Sequence, residues 1–177
     1  MTVTTAAPPT PAPETQAVHG DRQRQRRLAL VASKGTLDGA YPALILATTA
    51  ASLGWEVAIF FTFYGLDIIH KKKHKKLKVS PLANPAMPIA LPSLVGALPG
   101  MTAAATAMMK GWMKRSHMPG VGEFLDMARE SGVRLYACST TMGVMGIGPN
   151  DLLADADIAG ATAFLDFAAD ADVSLFV

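Results

Sequence analysis

Apolar residues fall along the chain in short continuous runs, and segments with apolar residues at helical spacing lie between those runs. Runs of about four to eight residues rich in Val, Ile, Leu and Phe are typical of strands buried on both faces of a parallel sheet. Four runs fit this description: 28–33, 56–63, 133–137 and 173–177. Helical spacing predicts helices over four further segments: 41–53, 121–131, 138–144 and 158–169. The alternation of the two patterns predicts an α/β fold, a mostly parallel sheet with helices on both faces.

The middle of the chain departs from this alternation. A helix is predicted to begin at Leu66 and to continue into a lysine-rich stretch, since Asp67 lies at its N-terminal end and the lysines at its C-terminal end. Residues 79–109 carry no charged side chain but contain five prolines, which disfavours an unbroken membrane-spanning helix. Within them only 101–109 is predicted to be helical. We interpret about 79–118 as an apolar insertion rich in Pro and Met, with three roles open: a subunit interface, a lid over the site, or a membrane-surface element.

The length and the composition bound the domain organisation. A chain of 177 residues is long enough for one α/β domain and too short for two, so we expect a single domain over 26–177. Residues 1–25 are rich in Pro, Ala, Thr and Gln and lack an apolar secretory segment, which predicts a disordered tail. Half of the residues are hydrophobic (50%) and only 17% are charged, which favours buried contacts between copies and hence a homo-oligomer.

The formal net charge of +2 hides a strong asymmetry. Residues 1–118 carry 14 Lys and Arg against 5 Asp and Glu, a net +9, whereas residues 119–177 carry 2 against 9, a net −7. Most of the basic excess lies in Arg22–Arg27 and in Lys71–Lys78. Such clusters are usually solvated faces, and we expect no nucleic-acid partner. An anionic membrane surface or an acidic protein partner stays open for Lys71–Lys78.

Two patterns resemble ligand sites only weakly. His70 and His74 have the spacing of a metal-binding pair on a helix, but the surrounding lysines would repel a divalent cation, so no metal site is expected. The loop 35–39 has neither of the glycine patterns that cradle phosphates in nucleotide-binding proteins. We therefore expect no bound cofactor.

The chain has one cysteine, Cys138, at the point where a predicted strand gives way to a predicted helix. A single cysteine allows no intrachain disulfide and no dithiol redox couple, which fits a reducing cytoplasm. A free cysteine is by default a small buried hydrophobic residue. This position favours a reactive one, because unpaired backbone N–H groups at a helix start stabilise a thiolate or a persulfide. Hydroxyl groups and a small residue that would support Cys138 follow directly: Ser139, Thr140, Thr141 and Gly143.

The predicted topology also brings separate loops together. In parallel sheets, binding sites gather at the carboxyl ends of the strands. Three segments leave predicted strands at that edge: 33–39, 62–66 and 138–143. We expect them to line one pocket that includes Cys138.

Several separated motifs, taken in order, resemble one family. The segment Ala137–Ile147, with the sequence ACSTTMGVMGI, resembles the cysteine motif of the DsrE/DsrF/DsrH-like proteins, in their DsrE2 branch. Phe60–Leu66, the lysine-rich stretch, the Met-rich middle and 160–176 are similar to further features of that branch, so the resemblance spans about 28–177. It implies a flavodoxin-like fold, homo-oligomeric assembly, and cytoplasmic sulfur trafficking in which Cys138 carries sulfane sulfur. It also implies partners of the rhodanese or TusA-like type, and membrane association for some relatives.

These observations leave three hypotheses for the function. In the leading one, Cys138 accepts sulfane sulfur as a persulfide and relays it to a partner thiol. The alternative is a non-catalytic, membrane-associated scaffold or regulatory partner that uses Lys71–Lys78 and the apolar segment 79–109. A third is a peroxide-reducing thiol protein with a resolving thiol from another molecule. We expect a location in the cytoplasm, or peripheral to the inner face of the membrane.

Overall fold

Five parallel strands form one sheet, and its order is β4-β3-β2-β1-β5. The computed structural model describes residues 24–80 and 100–177. The strands have the following bounds: β1 Arg27–Ala32, β2 Glu56–Phe61, β3 Arg134–Cys138, β4 Ala156–Ala159 and β5 Val173–Phe176. The helices are α1 Leu37–Ser52, α2 Leu66–Ile69, α3 Met101–Arg115, α4 Val121–Glu130, α5 Ser139–Met145 and α6 Ala161–Ala168. Short 3₁₀ turns lie at Phe63–Gly65, His74–Lys76 and Pro149–Asp151.

The order of the strands explains why helices cover both faces. The chain steps in one direction from β1 to β4 and then returns to place β5 on the other side of β1. Because parallel crossovers are almost always right-handed, a reversal of direction moves the connecting helix to the opposite face. The α1 and α4 helices accordingly pack together on one face, where the Tyr41 and Phe124 rings meet edge to face at 5.7 Å. The α6 helix covers the other face, and the predicted α/β class with helices on both faces is confirmed.

The hydrophobic clusters on the two faces of the sheet differ in size. Alternate residues along β1 and β2 point to opposite faces, so Leu30 and Ile59 enter the larger core beneath α1 and α4. The other face holds a smaller cluster, formed by Ala29, Ala58, Phe60, Cys138, Phe164 and Phe167. Cys138 therefore lies in the thinner of the two layers, nearer to the surface.

Strand β4 corrects the sequence-based prediction of a helix over 158–169. Residues 156–159 are a strand that pairs with β3 in register Leu135↔Ala156 to Cys138↔Ala159, and α6 begins only at Ala161. The four residues Ala-Asp-Ile-Ala have little intrinsic preference for a strand, so their conformation follows from pairing with β3. The pairing places a sheet edge next to Cys138.

The helix predicted to run into the lysine-rich stretch ends early. The α2 helix stops at Ile69, because His70 adopts an extended backbone (φ −80°, ψ 126°) and forms a β-bridge with Leu152. The lysines that follow lie in turns and a 3₁₀ segment with exposed side chains. A tertiary contact of His70 thus overrides the helical pattern.

The structure describes part of the apolar insertion. Residues 81–99, with Met87 and all five prolines of the insertion, lie outside the described residues. The helix predicted over 101–109 continues to Arg115 as α3, with Met109 and Met113 packed against the core. Met108 and Trp112, on its outer side, are 38% and 39% exposed. Across 24–80 and 100–177, no helix is long and apolar enough to cross a membrane.

Ion pairs tie the amino ends of three strands together. Glu56 of β2 accepts hydrogen bonds from Arg27 Nε of β1 and from an Arg134 guanidinium nitrogen of β3, both at 2.6 Å. Both guanidinium groups also lie 5.5 Å from the centre of the Phe167 ring. These contacts fix the register of β1, β2 and β3, and with it the relative positions of their carboxyl ends.

Candidate functional site

Cys138 is the last residue of β3 and the N-cap of α5, as the sequence pattern predicts. Its backbone is extended (φ −64°, ψ 107°), and the chain turns directly into the helix at Ser139. At a helix start the first backbone N–H groups have no partner within the helix. Those of Thr140 and Thr141 lower the pKa of the Cys138 thiol, although Cys138 accepts no side-chain capping hydrogen bond from the helix. The turn therefore brings N–H groups near the sulfur.

A pair of threonine hydroxyls continues this set of donors. Thr141 is 4% exposed, and its Oγ1 donates to Cys138 Sγ at 3.2 Å. Thr62, the residue directly after β2, has its Oγ1 3.0 Å from Thr141 Oγ1. The three side chains form a continuous line from the end of one strand to the end of the next.

The surroundings lower the pKa of the Cys138 thiol below that of an ordinary cysteine. Burial acts in the opposite direction and raises the pKa, because it disfavours the charged thiolate. The hydroxyl and N–H of Thr141, together with the nearby Thr62 hydroxyl and Thr140 N–H, outweigh it, since these donors stabilise the thiolate. The site thus favours a sulfur anion by hydrogen bonding.

The four predicted supporting residues differ in what they contribute. Thr141 contacts the sulfur with its side chain, and the Thr140 N–H lowers the thiol pKa. Ser139 and Gly143 lie on the exposed side of α5, and a methyl group added at Gly143 would meet nothing within 4 Å. Cys138 itself is buried, with 8% of its surface exposed.

Thr62 is the functional residue whose role the sequence pattern does not single out. It belongs to the predicted strand 56–63 and to the loop 62–66, but not to the residues predicted from the sequence to support Cys138. It follows β2 immediately, and β2 pairs with β3 so that Phe61 is opposite Ala137. Residues just beyond two paired parallel strands are neighbours in space, and this register, once known, places Thr62 beside the start of α5.

The loop after Thr62 is tightly packed against the end of β1. Thr62 N–H donates to Ala32 O at 3.0 Å, and Gly65 N–H donates to Ser33 O at 3.0 Å. A Cβ at Gly65 would lie 2.0 Å from the Ala32 oxygen, so only glycine fits there. Phe63 has a left-handed φ of 46°, a strained conformation for an aromatic residue, with its side chain 60% exposed. The packing of the loop therefore holds Thr62 in place.

A cleft of about 480 Å³ opens beside the loop after β1. It is lined by Gly35, Thr36, Asp67, Lys73, Lys76, Leu77, Lys78, Val79 and Thr102. The loops after β1 and β2 touch each other, and Thr62 links the β2 loop to Cys138. The cleft nevertheless lies on the β1 side, and Cys138 is outside its lining. The structure thus brings the three predicted segments to one edge without enclosing them in this cavity.

The two histidines with metal-like spacing make backbone contacts. Lys72 N–H donates to His70 Nδ1 at 3.2 Å, and His74 Nδ1 lies 2.9 Å from the His70 carbonyl oxygen. These contacts stabilise the turn after α2, and through them each Nδ1 atom has a backbone partner.

Comparisons with known proteins agree with this architecture. The model of the DsrE/DsrF/DrsH-like family matches residues 24–176. The chain is 42% identical over 159 residues to a protein of Allochromatium vinosum named sulfur carrier protein DsrE2, covering 86% of this chain and 99% of that one. It is 31% identical over 158 residues to Bacillus subtilis YrkE, which is named as uncharacterised, covering 88% of this chain and 99% of that one.

Among solved structures, the ychN protein from E. coli has a similar fold. The TM-score is 0.50 at 10% sequence identity, and the match covers 86% of this chain and 100% of that one. At this identity the likeness concerns the fold alone. Together with the family match and the relative of 42% identity, it assigns the chain by both sequence and architecture. The chain belongs to the DsrE/DsrF/DrsH-like family, in its DsrE2 branch.

Proposed function

We propose that this protein is a sulfur carrier in which Cys138 holds a sulfane sulfur as a persulfide and relays it to the thiol of a partner. The observation that carries the proposal is the hydrogen bond from the Thr141 hydroxyl to the only cysteine of the chain, at a helix start whose Thr140 and Thr141 N–H groups also lower the thiol pKa. Such surroundings stabilise an anion on sulfur. The name of the A. vinosum relative, sulfur carrier protein DsrE2, supports the same function.

Loading is a displacement at sulfur. The Cys138 thiolate attacks the outer sulfur of a donor persulfide, a new S–S bond forms on Cys138, and the bond within the donor breaks. The donor leaves as a thiolate, and the proton remains on the outer sulfur that is transferred to Cys138. With thiosulfate as donor, sulfite leaves instead and Cys138 keeps the persulfide anion. The sulfane sulfur changes its carrier without an external oxidant or reductant.

Unloading reverses these roles. A partner thiolate attacks the outer sulfur of the Cys138 persulfide, and Cys138 leaves as a thiolate. A thiol of low pKa is the better leaving group, so the hydrogen bonds that lower the pKa of Cys138 assist this step as well. One cysteine suffices for both steps, in agreement with its single occurrence in the chain.

The test is intact-mass measurement after incubation of the reduced protein with thiosulfate or polysulfide. We expect a gain of one sulfur or more, and its loss on addition of a small thiol or of a rhodanese or TusA-like acceptor. An unchanged mass with both donors would refute the carrier function. The chemistry requires free thiols in both partners, so we propose that the protein works in the cytoplasm.

We further propose that the protein acts as a homo-oligomer, with its β5 edge in the interface. Apolar side chains on β5 and α6 are exposed, with Leu165 at 61%, Leu175 at 42% and Phe176 at 71%. An edge strand with exposed apolar side chains readily pairs with another chain. Burial of these side chains against a second copy would remove a hydrophobic surface from water.

Phe176→Glu is expected to weaken self-association roughly 10- to 100-fold, because it would place a charge in the proposed apolar interface. Light scattering over a concentration series would measure the effect. Leu53→Glu is the matched control, since Leu53 is 69% exposed at the far end of α1. A wild-type mass that stays at the 18.6 kDa of one chain would contradict the proposal, as would an equal effect of both variants.

A second candidate function is a peripheral, non-catalytic role at an anionic membrane, and α3 favours it. Met108 and Trp112 are exposed on this helix, and the basic residues Lys110, Lys114 and Arg115 also lie on it. Apolar and aromatic side chains beside basic ones are typical of helices that lie in the membrane interface. Lys71–Lys78 adds further positive charge, each residue near the surface contributing about 1 kcal/mol. Part of the apolar segment first assigned to this role lies outside the described residues.

Flotation with anionic vesicles tests the second candidate. We expect binding at low salt, weaker binding at high salt, and none to vesicles of neutral lipid, because the attraction is electrostatic. Cys138→Ser should float as the wild type does, which separates this role from sulfur carriage. Protein that stays in the soluble fraction with anionic vesicles at low salt would contradict the membrane role.

A further inference from the structure

The hydroxyl of Thr141 contacts two other groups and has a single proton. Its Oγ1 is 3.2 Å from Cys138 Sγ and 3.0 Å from Thr62 Oγ1. A sulfur anion accepts hydrogen bonds and donates none, so the Thr141 proton points to Cys138 when the sulfur is ionised. The contact with Thr62 then requires Thr62 to be the donor and Thr141 the acceptor. The charge on the sulfur thus sets the direction of both hydrogen bonds.

The backbone around Thr62 is fixed independently of Thr141. Its N–H donates to Ala32 O at 3.0 Å, and its carbonyl accepts from Gly65 N–H at 2.9 Å. Gly65 in turn fits only because it has no side chain against the Ala32 carbonyl. Thr62 is therefore anchored to the end of β1, whereas Thr141 belongs to the short helix α5. An anchored donor restrains the rotation of the hydroxyl that it contacts.

We propose that Thr62 is a positioning residue for Cys138. Its hydroxyl donates to Thr141 Oγ1 and thereby directs the Thr141 proton to the sulfur whenever that sulfur is an anion. In a chain of hydrogen bonds each bond polarises the next, so the Thr62 donation also strengthens the bond from Thr141 to sulfur. For a persulfide on Cys138 this positioning role rests on the proposed function. The same role can be measured on the free Cys138 thiolate.

Burial disfavours the sulfur anion, so hydrogen bonding is the influence that favours it. The cluster that contains Cys138 consists of alanine and phenylalanine side chains from β1, β2 and α6. Half-buried Val31 and Tyr136 and the small residues Ala168 and Ala171 pack against it. Tyr136, on β3, is the titratable group of this cluster. Among the elements packed here, the charged side chains are Arg27, Glu56 and Arg134 at the amino ends of β1, β2 and β3, and the exposed acids Asp157 of β4 and Asp166 of α6.

The test is the pH dependence of Cys138 alkylation by iodoacetamide in the intact, unloaded protein. The thiolate is the reacting species, so the rate follows its titration. We expect Thr62→Val to reduce the rate roughly three- to tenfold at a pH below the pKa, as the loss of one neutral hydrogen bond would. The pH midpoint of alkylation in this variant should move toward the midpoint of the urea-unfolded protein. Thr62→Ser, which keeps the hydroxyl, should behave as the wild type does.

Two further variants make this test specific. In a Thr141→Val background, Thr62→Val should have no additional effect, because Thr62 acts through Thr141. Thr48→Val is the matched control: Thr48 is also half-buried, but its hydroxyl bonds to the Leu44 carbonyl within α1 at 2.8 Å. Should Thr62→Val fail to fold, Thr62→Ala has the same expected result with a smaller side chain.

The outcomes separate this role from the carrier function. An alkylation profile of Thr62→Val equal to that of the wild type overturns the positioning role, and so does an undiminished effect in the Thr141→Val background. Alkylation needs no sulfur donor. A protein that never loads sulfur, yet shows the expected profile, would overturn the carrier function and leave the role of Thr62 standing.

Discussion

Cys138→Ser is expected to abolish sulfur loading, by roughly two orders of magnitude or more, because it removes the only nucleophile of the mechanism. Serine has nearly the same shape as cysteine, and its oxygen still accepts the hydrogen bond of Thr141 Oγ1. The fold should therefore persist, and unfolding in urea would confirm that it does. The measurement is the intact mass after incubation with thiosulfate or polysulfide. A gain of sulfur that survives the substitution would contradict the mechanism.

Moving the thiol to another position tests whether the surroundings of Cys138, and not the thiol alone, promote sulfur loading. Ser52 is exposed at the C-terminal end of α1, and its hydroxyl bonds to the Thr48 carbonyl at 2.8 Å. In the double variant Cys138→Ser/Ser52→Cys the new thiol lacks the donors that surround Cys138, so less of it is ionised near neutral pH. We expect it to load clearly more slowly than Cys138 at pH 7. Equal rates would mean that the surroundings of Cys138 contribute nothing to loading.

Gly65→Ala is expected to be the most disruptive small substitution near the site. The added Cβ would lie 2.0 Å from the Ala32 oxygen, 2.7 Å from its carbonyl carbon and 3.2 Å from Ser33 N. These are backbone atoms of β1 and its end, which cannot move aside as a flexible side chain does. Overpacking of this kind costs about 3 kcal/mol or more of the free energy of unfolding. The clash also pushes the loop from β1 and so displaces the Thr62 hydroxyl.

Gly111→Ala is the matched control for that substitution. Gly111 lies inside α3, and a Cβ there would meet nothing within 4 Å. Alanine stabilises a helix interior by about 0.5–1 kcal/mol relative to glycine. Urea unfolding followed by circular dichroism would compare the two variants with the wild type. If Gly65→Ala unfolded at the same urea concentration as the wild type, the close packing of the two loops would be refuted.

The elements that the sequence predicts well are those whose side chains must be buried whatever their neighbours are. β1 and β2 are sandwiched between helices, so both faces of each strand need apolar side chains and the pattern is continuous. β4 lies at the sheet edge with Asp157 and Ile158 exposed, and burial imposes no such pattern on it. Its strand conformation comes from pairing with β3, which no local property of four residues reveals.

The lysine-rich stretch shows a similar limit. Its local pattern suits a helix from Leu66 onward, and α2 does begin there. The bridge between His70 and Leu152 joins residues far apart in sequence, and it ends the helix after four residues. Helical propensity is a weak preference that one such contact overrides.

The sequence by itself determined the parallel α/β architecture, the position of Cys138 between strand and helix, and the support from Thr141 three residues later. These features depend on burial and on the spacing of residues within one segment, and both can be read from the sequence. Only the tertiary structure decided that Thr62 belongs to the site, because its contact with Thr141 spans 79 residues and requires the register between β2 and β3. The tertiary structure likewise decided that the cleft beside β1 excludes Cys138, since the shape of a cavity depends on how separate loops pack.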